Sequence, residues 1–360
     1  MKPKGHPGGH PGESSGPRLV AWETTRNCNL SCVHCRAAAE RGPYAGELST
    51  DEGRALIDAL ARTGSPILIM TGGEPLLRPD IFTLARHARD KGLRAVMAVN
   101  GTLVTPEIAR EMAGAGIARI SVSLDGPDPE THDRFRGVPG AFEGALSGIE
   151  NAKAAGIEFQ INTTITQLNF GLIEKIQDLA VRIGAAAHHI FLLVPTGRGK
   201  YILDQAINAD QYEEALTWFY NQRDKTPMAL KATCAPHYYR ILRQKAREEG
   251  KEVSFETHGL DAVTRGCLAG TGFAFVSHVG RVQPCGFLDV EAGDVRRQPF
   301  DEIWKSSPVF NRLRDLGCLT GKCKACEYRR VCGGCRARAF EATGDFMAEE
   351  PLCSYLPAGY

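Results

Sequence analysis

Three features are scarce in this 360-residue chain, and each scarcity removes a class of function. Net charge is the first: 43 Lys and Arg face 42 Asp and Glu, for a formal charge of +1. No excess of either sign is left to drive general binding to nucleic acid or to a membrane surface. Long apolar runs are the second. No stretch approaches the roughly twenty apolar residues that an ordinary spanning helix needs. The third is the apolar core of a secretory signal, which MKPKGHPGGHPGESSG at the N-terminus does not contain. A cytoplasmic location is the default expectation. Hydrophobic residues still make up 43% of the chain, enough for one large or two ordinary domains.

What the chain has in quantity is cysteine, with 12 residues. Secreted disulfide frameworks usually occur in much smaller chains. Here the cysteines cluster two or three residues apart, which suits metal ligation better than disulfide pairing.

The Gly, Pro, Ser and His composition of residues 1–17 predicts a disordered leader, in which His6 and His10 read as a solvated tail. Residues 18–204 alternate between short apolar runs and amphipathic stretches. Strands are expected at 19–24, 66–70, 94–100, 119–124, 158–165 and 188–194, with helices between them. Ser49 with Glu52, Asp80, and Thr105 with Pro106 read as helix starts. Continuous apolar strands separated by helices imply a covered parallel sheet. Six such units predict an α/β fold, a partial (β/α)6 TIM-like barrel, with chemistry on loops at the C-terminal strand ends. Residues 205–259 read as a helical bridge. Residues 260–360 read as a small, cysteine-rich α+β domain.

Cys28, Cys32 and Cys35 follow the first strand, where such a barrel carries its active site. Three thiolates hold three irons of a cubane and leave the fourth open for a chelating ligand. A structural zinc would want a fourth protein ligand, and His34 is awkwardly placed between two of the cysteines. Other strand ends add polar loops to the same rim: Thr71-Gly72-Gly73-Glu74-Pro75, Val99-Asn100-Gly101-Thr102 and Ser123-Leu124-Asp125-Gly126. Two glycines let a ligand approach the backbone, and Glu74 offers an acceptor for an ammonium group.

With these residues the segment 19–200 resembles the radical S-adenosylmethionine (SAM) superfamily. The resemblance implies that Cys28, Cys32 and Cys35 bind a catalytic 4Fe–4S cluster. It also implies that Gly72, Gly73 and Glu74 meet the SAM amino group, and that Asn100, Ser123 and Asp125 face its ribose or methionine part. Arg136 would meet its carboxylate. Downstream, the series Cys267, Gly280, Cys285, Cys323, Cys326, Cys332, Cys335 and Cys353 resembles the auxiliary-cluster domains called SPASM or twitch. That implies one or two auxiliary 4Fe–4S clusters. Cys323, Cys326, Cys332 and Cys353 would hold an outer one, and Cys267, Cys285 and Cys335 would contribute to an inner one. Cys318 and Cys234 remain candidates for a fourth inner ligand, unless that position stays open for substrate. Such domains usually have three residues between the cysteines corresponding to Cys332 and Cys335; here Gly333 and Gly334 are the only two.

Three further segments, 188–200, 231–240 and 329–338, resemble the radical SAM enzymes of tetrapyrrole maturation, the haem b synthases of the siroheme-dependent pathway above all. The resemblance implies oxidative decarboxylation of two propionates of iron-coproporphyrin III to vinyls. It also implies a low-potential electron donor such as flavodoxin or ferredoxin. Arg198, Lys200, Arg240 and Arg265 are then candidate propionate partners, with Phe191, Tyr238 and Tyr239 as walls for a planar macrocycle. His188, His189, His237 or Cys234 are candidates to approach its iron. The alternatives are a related tetrapyrrole enzyme that deacetylates didecarboxysiroheme or assembles a nitrite-reductase haem, a SPASM peptide maturase, and a non-enzymatic iron–sulfur carrier.

Overall fold

The structure is a computed structural model and describes residues 16–358 and 360; the expected leader lies, up to residue 15, outside the described residues. Seven parallel strands run in chain order: β1 (Leu19–Thr25), β2 (Ile67–Gly72), β3 (Arg94–Val99), β4 (Arg119–Ser123), β5 (Glu158–Ile165), β6 (Ala187–Leu192) and β7 (Ala229–Thr233). Helices α1 (Thr50–Arg62), α2 (Ile81–Asp90), α3 (Pro106–Gly114), α4 (Pro129–Arg136), α5 (Ala141–Ala154) and α6 (Ile173–Arg182) lie between them. The expected starts hold for two helices: Ser49 and Glu52 form a reciprocal capping box, and Thr105 caps α3 ahead of Pro106. Asp80 precedes α2 but does not cap it, because Arg78 and Thr50 take its carboxylate.

The six expected β/α units are present, and the sheet continues past them in both directions. Residues 205–259 are not wholly helical. They hold α7 (Ala209–Asn221), then β7, then α8 (His237–Glu248), and β7 pairs in parallel with β6. On the far side, β8 (Phe273–Val276) pairs in parallel with β1. The antiparallel β9 (Arg281–Gln283) and β10 (Gly293–Asp294) extend that edge. The order is β10-β9-β8-β1-β2-β3-β4-β5-β6-β7, so the barrel is open and the C-terminal segment is part of its sheet.

The main core fills the space between sheet and helices, with Trp22 of β1 fully buried in it. Gly53 of α1 sits on that indole: a Cβ there would stand 2.6 Å from the ring. A second core joins β6, α7 and α8, and a third surrounds the C-terminal cysteines.

Candidate active site

The loop after β1 carries Cys28, Cys32 and Cys35, and neighbouring strand ends hold it from several sides. The Leu30 N–H donates to Cys28 Sγ at 3.4 Å, and the Ala39 N–H to Cys35 Sγ at 3.4 Å. Arg136 Nη1 stands 3.5 Å from Cys32 Sγ, while its Nη2 pairs with buried Asp125. These donors favour thiolate over thiol, as a cluster requires. Burial first, with Glu74, Cys32 and Cys35 adding to it, pushes the Cys28 thiol up to about 12 against the Leu30 N–H; iron ligation needs the thiolate, so loading the site releases protons.

The rim residues share one neighbourhood. Gly72 and Gly73 run against the cysteine loop: a Cβ at Gly73 would stand 2.3 Å from the Asn27 carbonyl oxygen and 2.5 Å from that of Arg26. Glu74 is fully buried, and its carboxylate accepts the N–H groups of Leu76 (3.2 Å) and Asn100 (2.7 Å). Burial pushes it up to about 7. Each oxygen accepts one N–H and keeps a further lone pair, so Glu74 braces the loop and still has acceptor capacity. Asn100 bonds Asn29 at 2.7 Å and Thr102, tying β3 to the cysteine loop. Ser123 ends β4, opposite Asn162 of β5. Asp125 accepts the Thr164 N–H at 2.7 Å and pairs with Arg136, which links β4 to the cysteines.

The C-terminal cysteines form two groups. Cys323, Cys326, Cys332 and Cys353 line one pocket with His237, Arg240 and Gly334. Gly333 and Gly334 have φ of 73° and 63°, successive left-handed turns that L side chains resist. This shortened Gly-Gly link leaves Cys332 in that pocket and carries Cys335 to the other group. Cys335 packs there with Cys234 and Cys285 on an apolar cluster that Cys318 and Cys323 also border. The Cys267 N–H donates to the Cys332 carbonyl at 3.3 Å, so the two groups adjoin. Again N–H groups reach sulfur: Phe287 to Cys285 at 3.3 Å, Gly334 to Cys332 at 3.5 Å.

Most substrate candidates have other partners. Arg198 donates to the Cys32 and Ala39 carbonyls, both at 2.8 Å, and so braces the cysteine loop. Lys200 is half-exposed and pairs with Glu341 at 3.0 Å. Arg240 pairs with Glu213 and with Gln244. Arg265 crowds the Gly333 turn, with Nη2 2.8 Å from where a Cβ would stand. Tyr238 and Tyr239 are core residues of the α7–α8 layer. His237 lies 2.5 Å from Glu350 at the outer cysteine pocket. Cys318 bonds Asp315 on the exposed side. His188 and His189 point to opposite faces of β6, as strand alternation demands. His188 is buried beside Phe219 of α7 and held down to about 4 by burial. His189 is on the inner face, 3.0 Å from Gln160. That face also carries Ser123, Asn162, Thr164 and Lys231, which makes the interior polar.

Four residues escaped the sequence reading. Asn29 is one. The others are Glu23, Arg36 and His278. Glu23 is fully buried and bonds Arg36 at 3.2 Å, Arg26 at 3.3 Å and His278 at 2.7 Å. Arg36, next to Cys35, also donates to the Gly286 carbonyl at 3.3 Å, next to Cys285. Its guanidinium lies 4.5 Å over Phe275. A charged pair split between residues so far apart in sequence leaves no local pattern. Burial pushes the Glu23 carboxyl up, but Arg36, His278 and Arg26 together hold it down at about 2. A depressed pKa gives stability that is complete above the unfolded value and fades as pH falls through the folded one. Glu23→Gln is therefore expected to cost about 3 kcal/mol at pH 7. In denaturation curves, that gap to the wild type should close between about pH 5 and pH 2.

The comparisons agree with this geometry. The radical SAM superfamily model matches residues 22–180, and the SPASM iron–sulfur cluster-binding domain matches residues 267–336. The chain belongs to the radical SAM superfamily and is an enzyme that uses SAM and a 4Fe–4S cluster, with auxiliary iron–sulfur clusters in its C-terminal domain. It is 58% identical over 340 residues to an AdoMet-dependent heme synthase of Nitratidesulfovibrio vulgaris, covering 94% of this chain and 93% of the relative. An Fe-coproporphyrin III synthase of Methanosarcina barkeri is 35% identical over 351 residues, covering 93% and 87%. The fold matches Streptococcus suis SuiB bound to S-adenosylmethionine with a TM-score of 0.74, at 17% identity, covering 95% of this chain and 78% of that one. Among the described residues no helix is long and apolar enough to cross a membrane.

Proposed function

We propose that the enzyme oxidatively decarboxylates two propionates of iron-coproporphyrin III to vinyls and so makes haem b. The observation that carries this reading is Arg36, which bridges the Cys35 loop and the Cys285 loop. Each propionate must give up one hydrogen atom from the carbon attached to the pyrrole, then carbon dioxide, then one electron. An electron-accepting site beside the radical site suits that stoichiometry. When bound, the cluster at Cys28, Cys32 and Cys35 supplies with SAM the carbon radical that takes the hydrogen, and the auxiliary clusters supply a sink for the electron.

The chain's own residues hold and shape the site. Asn29, Asn100, Arg136 and Arg198 fix the cysteine loop against the strand ends. The polar inner face offers His189 and Lys231 to carboxylates. Burial lowers the Lys231 pKa, so its ammonium gains from an anionic partner. Relatives named heme synthase support the tetrapyrrole. A relative named Fe-coproporphyrin III synthase would make the substrate this reading assigns. A low-potential flavodoxin or ferredoxin would reduce the radical cluster.

Anaerobic incubation with iron-coproporphyrin III, SAM and reductant tests the proposal by mass spectrometry. The porphyrin should lose two formic-acid equivalents, each carbon dioxide plus two hydrogens, with two SAM consumed. An unchanged porphyrin, with another tetrapyrrole or a peptide modified instead, would replace this reading.

A further inference from the structure

Cys234 is separated from the SPASM match: it follows β7 of the barrel, 33 residues before the match begins at Cys267. The fold nevertheless brings it to the inner group. Cys234, Cys285 and Cys335 pack on one apolar cluster, which Cys318 and Cys323 also border. Gly266, next to Cys267, backs onto Pro236: a Cβ at Gly266 would stand 2.7 Å from that ring. The C-terminal helix Arg336–Thr343 begins immediately after Cys335, and its Arg338 donates from Nη2 to the Cys234 carbonyl at 2.6 Å. The Tyr212 hydroxyl donates to the same carbonyl at 3.1 Å. Cys234 itself has φ of +54°, a left-handed conformation rare for a residue with a Cβ. Two donors on its carbonyl hold it in that conformation.

We propose that Cys234 is the fourth protein ligand of the inner auxiliary cluster, completing the set Cys267, Cys285 and Cys335. The inference rests on assigning the C-terminal cysteines to two clusters and is independent of the substrate. Four thiolates, one from the barrel and three from the C-terminal domain, are the number that a fully ligated 4Fe–4S cube takes. The consequence is functional. A cluster with four cysteine ligands has no open iron, so it passes electrons and does not bind substrate. It also cross-links β7 to the C-terminal domain, at the end of the sheet opposite β8. Cys318, the other spare cysteine, borders the same apolar cluster, but its Sγ turns to the Asp315 carboxylate at 3.4 Å.

The test removes the radical cluster first. In a Cys28→Ala, Cys32→Ala, Cys35→Ala background, anaerobically reconstituted protein should hold two clusters' worth of iron and sulfide. Adding Cys234→Ala should lose one cluster, or leave it with an open iron whose EPR signal shifts on adding cyanide. Adding Cys318→Ala should change neither iron content nor spectrum. If Cys234→Ala does not fold, Cys234→Ser keeps the side-chain size and a possible oxygen ligand, and its reduced EPR spectrum should shift. Full iron content with an unchanged EPR spectrum in either Cys234 variant would overturn the proposal. A background protein with no auxiliary iron would overturn the two-cluster assignment as well.

Discussion

Cys32→Ala is expected to bring 5′-deoxyadenosine formation to background, a loss of more than about a thousandfold, or more than about 4 kcal/mol at the barrier. Three thiolates are the minimum that leaves one iron of a cubane open for SAM, and the loop holds no spare. His34 is the nearest alternative, but its ring packs against Phe135 at 4.6 Å. Burial first, then Arg136, Arg198 and His132, hold that imidazole well below its usual pKa. The substitution also removes the sulfur partner of Arg136, leaving that guanidinium to Asp125. Auxiliary iron should survive, so iron analysis should show a partial loss while SAM cleavage, followed by chromatography with dithionite as reductant, disappears. A variant that still cleaves SAM at the wild-type rate would refute the assignment of this triplet.

Arg338→Met is expected to destabilise the protein by about 3–5 kcal/mol, because it strips one member from a fully buried charge network. Arg338 donates to Glu350 at 2.9 Å, to the Tyr212 hydroxyl at 2.7 Å, and to the Cys234 carbonyl. Glu350 is completely buried and, among the described residues, keeps His237 as its charged partner once the guanidinium is gone. The network lies between the two auxiliary cysteine groups, so auxiliary iron should fall with stability. Adding Glu350→Gln should recover part of the loss in denaturant titrations, since the unpaired buried charge then disappears. Lysine at 338 should not substitute, because one ammonium cannot reach three partners in a planar fork. A shift below about 1 kcal/mol for Arg338→Met would show that the charges are relieved in some other way.

Much of the barrel was legible because its strands announce themselves. Segments such as Ile67–Gly72 and Arg94–Val99 are apolar and bounded by turn residues, and the cysteine triplet follows directly from the first of the strands. β7 was not legible. Ala229–Thr233 is five residues long, has a lysine at its centre, and lies between two strongly helical segments. Its lysine belongs there because the inner face of the barrel is polar. The parallel pairing of β8 with β1 was equally hidden, since no local pattern records a partner some 250 residues away. Among site residues, spacing identified the cysteines that lie close together in sequence. It could not say that Arg198 and Arg240 were already engaged, because Cys32 and Glu213 reach them only through the tertiary fold. Nor could adjacency separate His188 from His189, which the two-residue period of a strand sends to opposite sides.

The placement of Phe273–Val276 against Leu19–Thr25 also bears on how the molecule is born. A ribosome adds about 5–20 residues per second, so the first strand waits tens of seconds for its second neighbour. During that time one flank of the nascent sheet shows unpaired N–H and C=O groups, the kind of edge that recruits strands from other chains. Iron delivery to the first cysteine triplet before that flank is covered would load a half-built protein. Messages truncated ahead of residue 273 should therefore give products that aggregate or remain bound to chaperones, and adding back the last quarter of the coding sequence should release them.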